Sequence, residues 1–294
     1  MKHEHLMPND CQNRLVKERM NGELRQSCHP HSLIQFFCIL LILSAFIFTA
    51  KPQAAENSGN PATGSRVLLY HRFGPKVADS MTVTTPVFAS HLEFLKSHGY
   101  TVVPLRRIVD AFLRKGPALP AKSVSIVVDD GHITVYTEML PLVKKANIPV
   151  TLFIYPSAIS NASYAMTWDQ LRELKKTGLF DMQSHGYWHP NFKKEKKRLN
   201  PAEYEKFVDS QLSKSRKTLE KKLGGSVDII GWPFGIFDDY LISRAVKAGY
   251  VAGFSIEAHP VNSSDEVMKL PRYLLTNANK GKDFEWIFKN QVAP

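Results

Sequence analysis

An α/β fold, either a parallel sheet or a (β/α) barrel, is what this sequence predicts, and three observations carry it. Short apolar runs rich in Val and Ile alternate with segments of helical period along most of the chain. The residues of strongest chemical character stand where those apolar runs end, which is where (β/α) barrels place their chemistry. A hydrophobic content of 44% over 294 residues suffices for one large core, and barrels of this length are normally single domains.

The chain opens on a segment apart from that rhythm. Residues 33–50 carry no charge, and Arg14, Lys17, Arg19 and Arg25 precede them. That pattern is a signal peptide or a single membrane anchor with its basic side cytoplasmic. The 18 residues of the run fall between a typical h-region and a full span. The leading 32 residues are long for an n-region, so Met20 is a candidate start, and Gln53-Ala54-Ala55 offers a weak cleavage site. Export with cleavage, to the periplasm or cell surface, is the leading expectation and a retained anchor the alternative. All three cysteines, Cys11, Cys28 and Cys38, lie in or before this run. The body then has neither disulfides nor thiolate ligands, which suits an oxidising compartment. The expected organisation is an n-region with signal peptide or anchor over 1–55, a linker over 56–65 and one domain over 66–294.

Beyond residues 51–64, rich in Pro, Gly and Asn, strands are expected at 66–70, 124–128, 150–155, 227–231 and 251–254. Helices are expected at 86–97, 133–146, 167–176, 200–223 and 239–248. Thr167 and Gln170 form a capping box. Asn200 as N-cap, Pro201 at the first helical position and Glu203 in the first turn make a strong start for the long helix.

Asp129-Asp130-Gly131 closes the apolar run Ser125-Ile126-Val127-Val128. Adjacent residues on a regular strand point to opposite faces, so both carboxylates reach one cavity only where the strand breaks. Gly131 permits that break. With one acid on a cation and the other left free, the pair is a metal ligand beside a general base; an acidic turn or helix N-cap is the alternative. His185 and His189 lie four apart, a helical-turn spacing that aims both imidazoles the same way. Neutral imidazole is a preferred zinc ligand, and with Asp130 the pair makes a two-His-one-Asp set with positions open for water and substrate. Two surface histidines among 11 are the plainer reading. Ile229-Ile230-Gly231 runs into Trp232-Pro233-Phe234-Gly235. That is either a rigid loop offering backbone N–H groups to a ligand or an ordinary strand-to-helix turn.

Asp-Asp-Gly, then His-x-x-x-His, then Pro-aromatic-Gly, in that order, resembles the polysaccharide deacetylases, carbohydrate esterase family four. Leu68-Leu69-Tyr70-His71-Arg72-Phe73, followed by Phe88 and then Gly99-Tyr100-Thr101-Val102-Val103-Pro104-Leu105, is similar to the branch containing the biofilm poly-N-acetylglucosamine deacetylases. The resemblance spans roughly residues 66 to 275. It implies a distorted (β/α) barrel that removes N-acetyl groups from amino-sugar polymers using a bound divalent metal, usually zinc. It further implies Asp129 as general base, Asp130, His185 and His189 as metal ligands, and Phe234 as donor of a backbone N–H to the oxyanion.

Two departures stand out. Many members carry arginine two residues before the proline of the third motif, where this chain has Gly231. A C-terminal Leu-x-His, which supplies the general acid in many members, is replaced by Leu270-Pro271-Arg272-Tyr273-Leu274-Leu275. In the biofilm-type branch a histidine of the N-terminal Tyr-His segment takes the acid's place, which points to His71. Arg272 is a candidate to orient Asp129 from the last strand. Tyr187, Trp188 and Trp232 are candidate sugar-stacking residues, and Trp168 is expected to be packing.

The net charge is +11, and removing residues 1–55 takes away 6 of 38 basic and 4 of 27 acidic residues, leaving +9. Much of it sits in residues 193–198 and the helix that follows. No nucleic-acid-binding motif accompanies this run, so nucleic acid is not an expected partner. A solvated helix face is the first reading, attraction to an anionic envelope or polymer the second. Three function classes follow: a metal-dependent polysaccharide N-deacetylase; a catalytically impaired carbohydrate-binding member, suggested by Gly231 and the unsettled acid; and a different metal hydrolase, such as an O-deacetylase or a non-sugar amidohydrolase, on the same scaffold. The expected partner is an amino-sugar polysaccharide, with membrane association through residues 33–50 and a monomeric state.

Overall fold

A computed structural model describes residues 60–289. The apolar run 33–50, the three cysteines and the expected signal or anchor lie outside the described residues. Among the described residues, no helix is long and apolar enough to cross a membrane.

The strands are β1 (Arg66–Tyr70), β2 (Arg72–Gly74), β3 (Thr82–Thr84), β4 (Thr101–Val102), β5 (Ser123–Asp129), β6 (Val150–Ile154), β7 (Phe180–Ser184), β8 (Ile229–Gly231), β9 (Ala252–Phe254) and β10 (Tyr273–Leu274). The helices are α1 (Thr85–Ser97), α2 (Leu105–Phe112), α3 (Leu140–Ala146), α4 (Trp168–Lys176), α5 (Phe192–Arg198), α6 (Pro201–Leu223), α7 (Asp239–Lys247) and α8 (Lys282–Lys289). The main sheet runs β10-β1-β5-β6-β7-β8-β9 with every pair parallel. The segment 270–274 serves both of its edges. Leu270 bonds Gly253 and Ser255 beside β9, each at 2.8 Å, and Tyr273 and Leu274 then pair with Leu68 and Leu69 of β1. The architecture is an α/β half-barrel of parallel strands.

Strands β1, β5 and β6 are buried along their whole length, as parallel strands covered on both faces must be. Their side chains alternate between two cores. Leu68, Tyr70, Ile126, Val128, Leu152 and Ile154 pack with residues of α1, α3, α4 and α8. Val67, Leu69, Val127, Phe153, Ile229, Phe254 and Leu270 come together on the other face with α2. By this parity Asp129 and Gly231 share the inner face with Val127 and Ile229, so the inner core carries the polar centre at its rim.

Both expected helix starts are present as capping boxes, Thr167 with Gln170 and Asn200 with Glu203. The helix expected from residue 133 starts later, at Val135, and its first turn is a π-helix over Val135–Met139. His132 pairs with Ala165 in an antiparallel bridge, and the Ile133 N–H donates to the Tyr164 carbonyl, which ties this stretch to the 160s loop ahead of the helix. The end of the expected linker belongs to the body: Ala62 is fully buried and the Asn60 amide donates to the Phe112 carbonyl at 2.9 Å. Strand β7 was not among the expected strands because Asp181, Gln183 and Ser184 interrupt its apolar pattern.

Candidate active site

The first motif is built by a backbone reversal at the end of β5. Asp130 has φ 77° and Gly131 φ 75°, so the break in the strand falls on Asp130 as well as on the glycine. Asp is among the few non-glycine residues that enter the left-handed region readily. A Cβ on Gly131 would also be crowded, 3.0 Å from Ile154 Cδ1 and 3.1 Å from Ile159 Cδ1. Two successive positive φ values turn the Asp130 carboxylate into the cavity that Asp129 faces.

The second motif lies on a loop, not on a helix as the four-residue spacing suggested. β7 ends at Ser184, and Gly186 (φ 74°) and His189 (φ 62°) fold the chain back so that the two imidazoles meet with centroids 4.6 Å apart. A buried glutamine on α6 holds this loop: Gln211 Oε1 accepts from the Tyr187 N–H at 3.2 Å and the Trp188 N–H at 3.1 Å. Sequence reasoning missed Gln211. The available signal was a polar residue between Val208 and Leu212 on the apolar face of that helix.

Asp130, His185 and His189 each present a ligand atom, and these atoms lie within 4.8 Å of one another. Asp130 Oδ1 is 3.8 Å from both His185 Nε2 and His189 Nε2. Two ligands of one tetrahedral ion at about 2.0–2.1 Å sit roughly 3.4 Å apart, so small side-chain movements suffice to close on a cation. The donor chemistry fits as well. His185 Nδ1 donates to the Gly231 carbonyl at 2.7 Å, which leaves the Nε2 lone pair facing Asp130. Burial pulls His185 down to about 3, the Asp129 charge opposing, so the ring is neutral as a metal ligand must be. Burial, with Asp129 beside it, pushes Asp130 up, and His71, Arg72 and Arg272 only partly offset this. A cation among these three groups would offset the cost of keeping that carboxylate ionised.

Asp129 is the opposite case. Burial alone would raise it, but the opposing effects, led by the Arg272 guanidinium, hold it below the usual carboxylate range. Arg272 Nη1 donates to Asp129 Oδ1 at 2.8 Å with both side chains buried, and its Nε donates to the Ser255 carbonyl at 2.7 Å. Its guanidinium lies 5.2 Å from the centroid of the Phe153 ring. A Cβ on Gly231 would stand 3.2 Å from Arg272 Nη1 and 2.9 Å from Phe153 Cγ. The glycine at the departing position is therefore the gap through which the arginine of β10's approach reaches the acid. Asp129 Oδ2 points the other way, 3.5 Å from His185 Nε2.

His71 directly follows β1 and lies close enough to Asp129 and Asp130 to act on both. Its Nδ1 is buried and bonds no described residue. Phe234 has φ 55°, its ring lies 4.4 Å from that of His189, and it is about half exposed. Its N–H makes no hydrogen bond to a described residue. Trp188 is exposed at the rim, 5.8 Å from Phe207. Tyr187 is half-buried with Lys214 Nζ 4.0 Å above its ring. Trp232 is not at the surface. Its backbone N–H continues the pairing of β8 with Phe254, which sends the side chain into the core under α6 and α7, where Nε1 donates to the Met268 carbonyl at 2.8 Å. It packs, and no sugar reaches it. Trp168 packs against the core, as expected.

Residues 116–253 match the family model described as polysaccharide deacetylase. The poly-beta-1,6-N-acetyl-D-glucosamine N-deacetylase of Staphylococcus aureus MRSA252 is 28% identical over 213 residues, 71% of this chain and 73% of that protein. The enzyme of the same name from Staphylococcus epidermidis is 27% identical over 208 residues, 69% and 71% of the two chains. Among solved structures, the deacetylase PplD of Streptococcus pyogenes in complex with acetate superposes with a TM-score of 0.68 at 19% identity, covering 76% of this chain and 98% of that one. IcaB from Ammonifex degensii gives 0.67 at 24% identity, covering 77% and 97%. These two likenesses are of fold.

Proposed function

We propose that this chain, which carries a polysaccharide deacetylase domain, is a metal-dependent N-deacetylase of a poly-β-1,6-N-acetylglucosamine-type polymer. The observation that supports it best is the pairing of a three-donor cluster, Asp130, His185 and His189, with a second carboxylate that Arg272 keeps ionised. The staphylococcal relatives are named for this activity. A divalent cation held by the three donors supplies, when bound, polarisation of the acetyl carbonyl and a more acidic water.

The side chains divide the remaining work. Asp129, fixed through Oδ1 on Arg272, presents Oδ2 to accept the proton of the attacking water. The Phe234 N–H donates to the oxyanion; losing one such donor typically costs about 3 kcal/mol. His71 delivers a proton to the departing amine. Gly231 gives no ground for an impaired member, because Arg272 occupies the space beside it and reaches Asp129. In this reading the domain is exported and acts at the periplasmic or outer surface.

Acetate release from a β-1,6-linked N-acetylglucosamine oligomer, with a β-1,4-linked oligomer beside it, tests the proposal. Release should favour the β-1,6 oligomer, stop with chelator and return with zinc. Asp129→Asn should keep its metal and lose turnover. Full turnover in that variant, or no release from any acetylated glycan by the metal-loaded protein, overturns the proposal.

A further inference from the structure

The positive charge of the body is concentrated: residues 193–222 hold eleven basic and five acidic residues. On α6, Lys206, Lys214, Lys217 and Lys221 are all exposed. At about 3.6 residues per turn and 1.5 Å per residue they fall within an arc of about 80° and a length of about 23 Å. Three acids of the same helix, Glu205, Asp209 and Glu220, stand on the adjoining arc and are engaged there, while Glu203 falls within the lysine arc at the first turn. Glu205 and Asp209 pair with Arg244, and Glu220 pairs with Arg216. Glu203 accepts from the Asn200 N–H in the first turn. Among the described residues, no acid pairs with any of the four lysines. Lys214, Lys217 and Lys221, spaced three and four apart, repel one another on the helix surface.

Packed beside it, α5 adds exposed Lys193, Lys194 and Lys197, while its Lys196 and Arg198 are paired with Asp238 and Glu195. The row also reaches the mouth of the site, since Lys214 caps Tyr187 in the loop between His185 and His189. Ammonium point charges in file, with no guanidinium fork among them, read charge rather than shape. None of the exposed large apolar side chains lies on α6, so the face lacks the groups that insert into lipid. A deacetylated amino-sugar polymer is itself cationic and is repelled here, so this face suits a second polymer.

We propose that the lysine face of α6, extended by α5, is a docking surface for a linear polyphosphate chain, distinct from the acetyl-hydrolysing cavity. The probe is long-chain polyphosphate, titrated against the full chain, with mixed phosphatidylglycerol–phosphatidylcholine vesicles as the competing arm. Binding is expected, with the logarithm of affinity falling against that of salt with a slope of about −3 for four contacts. The triple variant Lys206→Gln, Lys217→Gln, Lys221→Gln should weaken it at least tenfold. The same substitutions to Arg should keep it, and Lys115→Gln, Lys144→Gln, Lys145→Gln, an equal charge loss elsewhere, should change it less than twofold. Acetate release from a short neutral oligomer should be the same in all variants, which separates failure here from failure of the deacetylase reading. No binding, equal weakening by the two Gln triples, or binding to vesicles without binding to polyphosphate overturns the proposal. Should the Gln triple fail to melt cooperatively, the Arg triple decides, and its loss of binding also overturns the proposal.

Discussion

Arg272→Met is the sharpest perturbation of the site, because it removes one member of a buried ion pair and leaves the other where it stands. Asp129 and Arg272 have side chains only 3% and 0% exposed. Breaking such a pair from one side costs about 3–5 kcal/mol, since the remaining charge is buried without compensation. The Ser255 carbonyl also loses its donor at the junction of β9 and β10. The pH dependence reverses sign. In the parent, Asp129 is depressed from 3.8, so its contribution to stability is complete above that value and is lost as pH falls through the folded pKa. In the variant burial dominates and the folded value rises above 3.8, so the group opposes folding at neutral pH and this penalty fades on acidification. Urea unfolding at pH 7 should therefore show a deficit of about 3–5 kcal/mol that narrows toward pH 4.5. If Asp129 is the base proposed above it acts ionised, so the acid limb of the acetate-release profile should move to higher pH. The double variant Asp129→Asn/Arg272→Met should be more stable than Arg272→Met alone. An unchanged unfolding midpoint with an unmoved acid limb would refute the assignment of Arg272 as the group that positions and ionises Asp129.

Other perturbations separate further roles. Zinc should raise the melting temperature of the parent and be retained at one ion per chain by elemental analysis; His185→Ala should abolish both, and retained stoichiometry there would sink the ligand set. Trp188→Ala should raise KM for the polymer with the fold intact, whereas Trp232→Ala should lose about 3–5 kcal/mol in urea unfolding, as a buried indole does. His91 on α1 is buried, stacked 3.8 Å from Phe284 and bonded to the Tyr70 hydroxyl, and burial brings it down to about 4 from 6.5. A depressed histidine withdraws stability as pH falls from the unfolded toward the folded value, here by up to about 3 kcal/mol. His91→Gln should flatten urea-unfolding stability between pH 6.5 and 4.5 by that share, and an unaltered slope would assign the acid sensitivity elsewhere.

What was legible in the chain was the inventory of donors, and what was not was the backbone that aims them. Runs of Val, Leu and Ile marked β1, β5 and β6 because parallel strands covered on both faces are mostly apolar. Side-chain chemistry marked Thr167 and Asn200 as caps, and the acids and imidazoles at strand ends as candidate ligands that the fold brings together. Residue type says little about a left-handed turn taken by a residue other than glycine. Yet Asp130, His189 and Phe234 all have φ between 55° and 77°, one in each motif. Each is followed by, or lies near, a glycine or proline that fits the reversal, and each conformation costs energy that the packing around it must offset. The HxxxH spacing thus had the right consequence for a wrong local reason: the imidazoles converge because a loop doubles back under Gln211, not because a helix turns. Arg272 was hidden differently. It stands 143 residues from Asp129, and only closure of the sheet by segment 270–274 brings its guanidinium into the space that Gly231 leaves empty. A missing side chain at one strand and a buried cation at another are a single feature. Gly231 and Arg272 are therefore to be read together: any Cβ at 231 must displace Phe153 or Arg272, so the glycine is what admits the arginine.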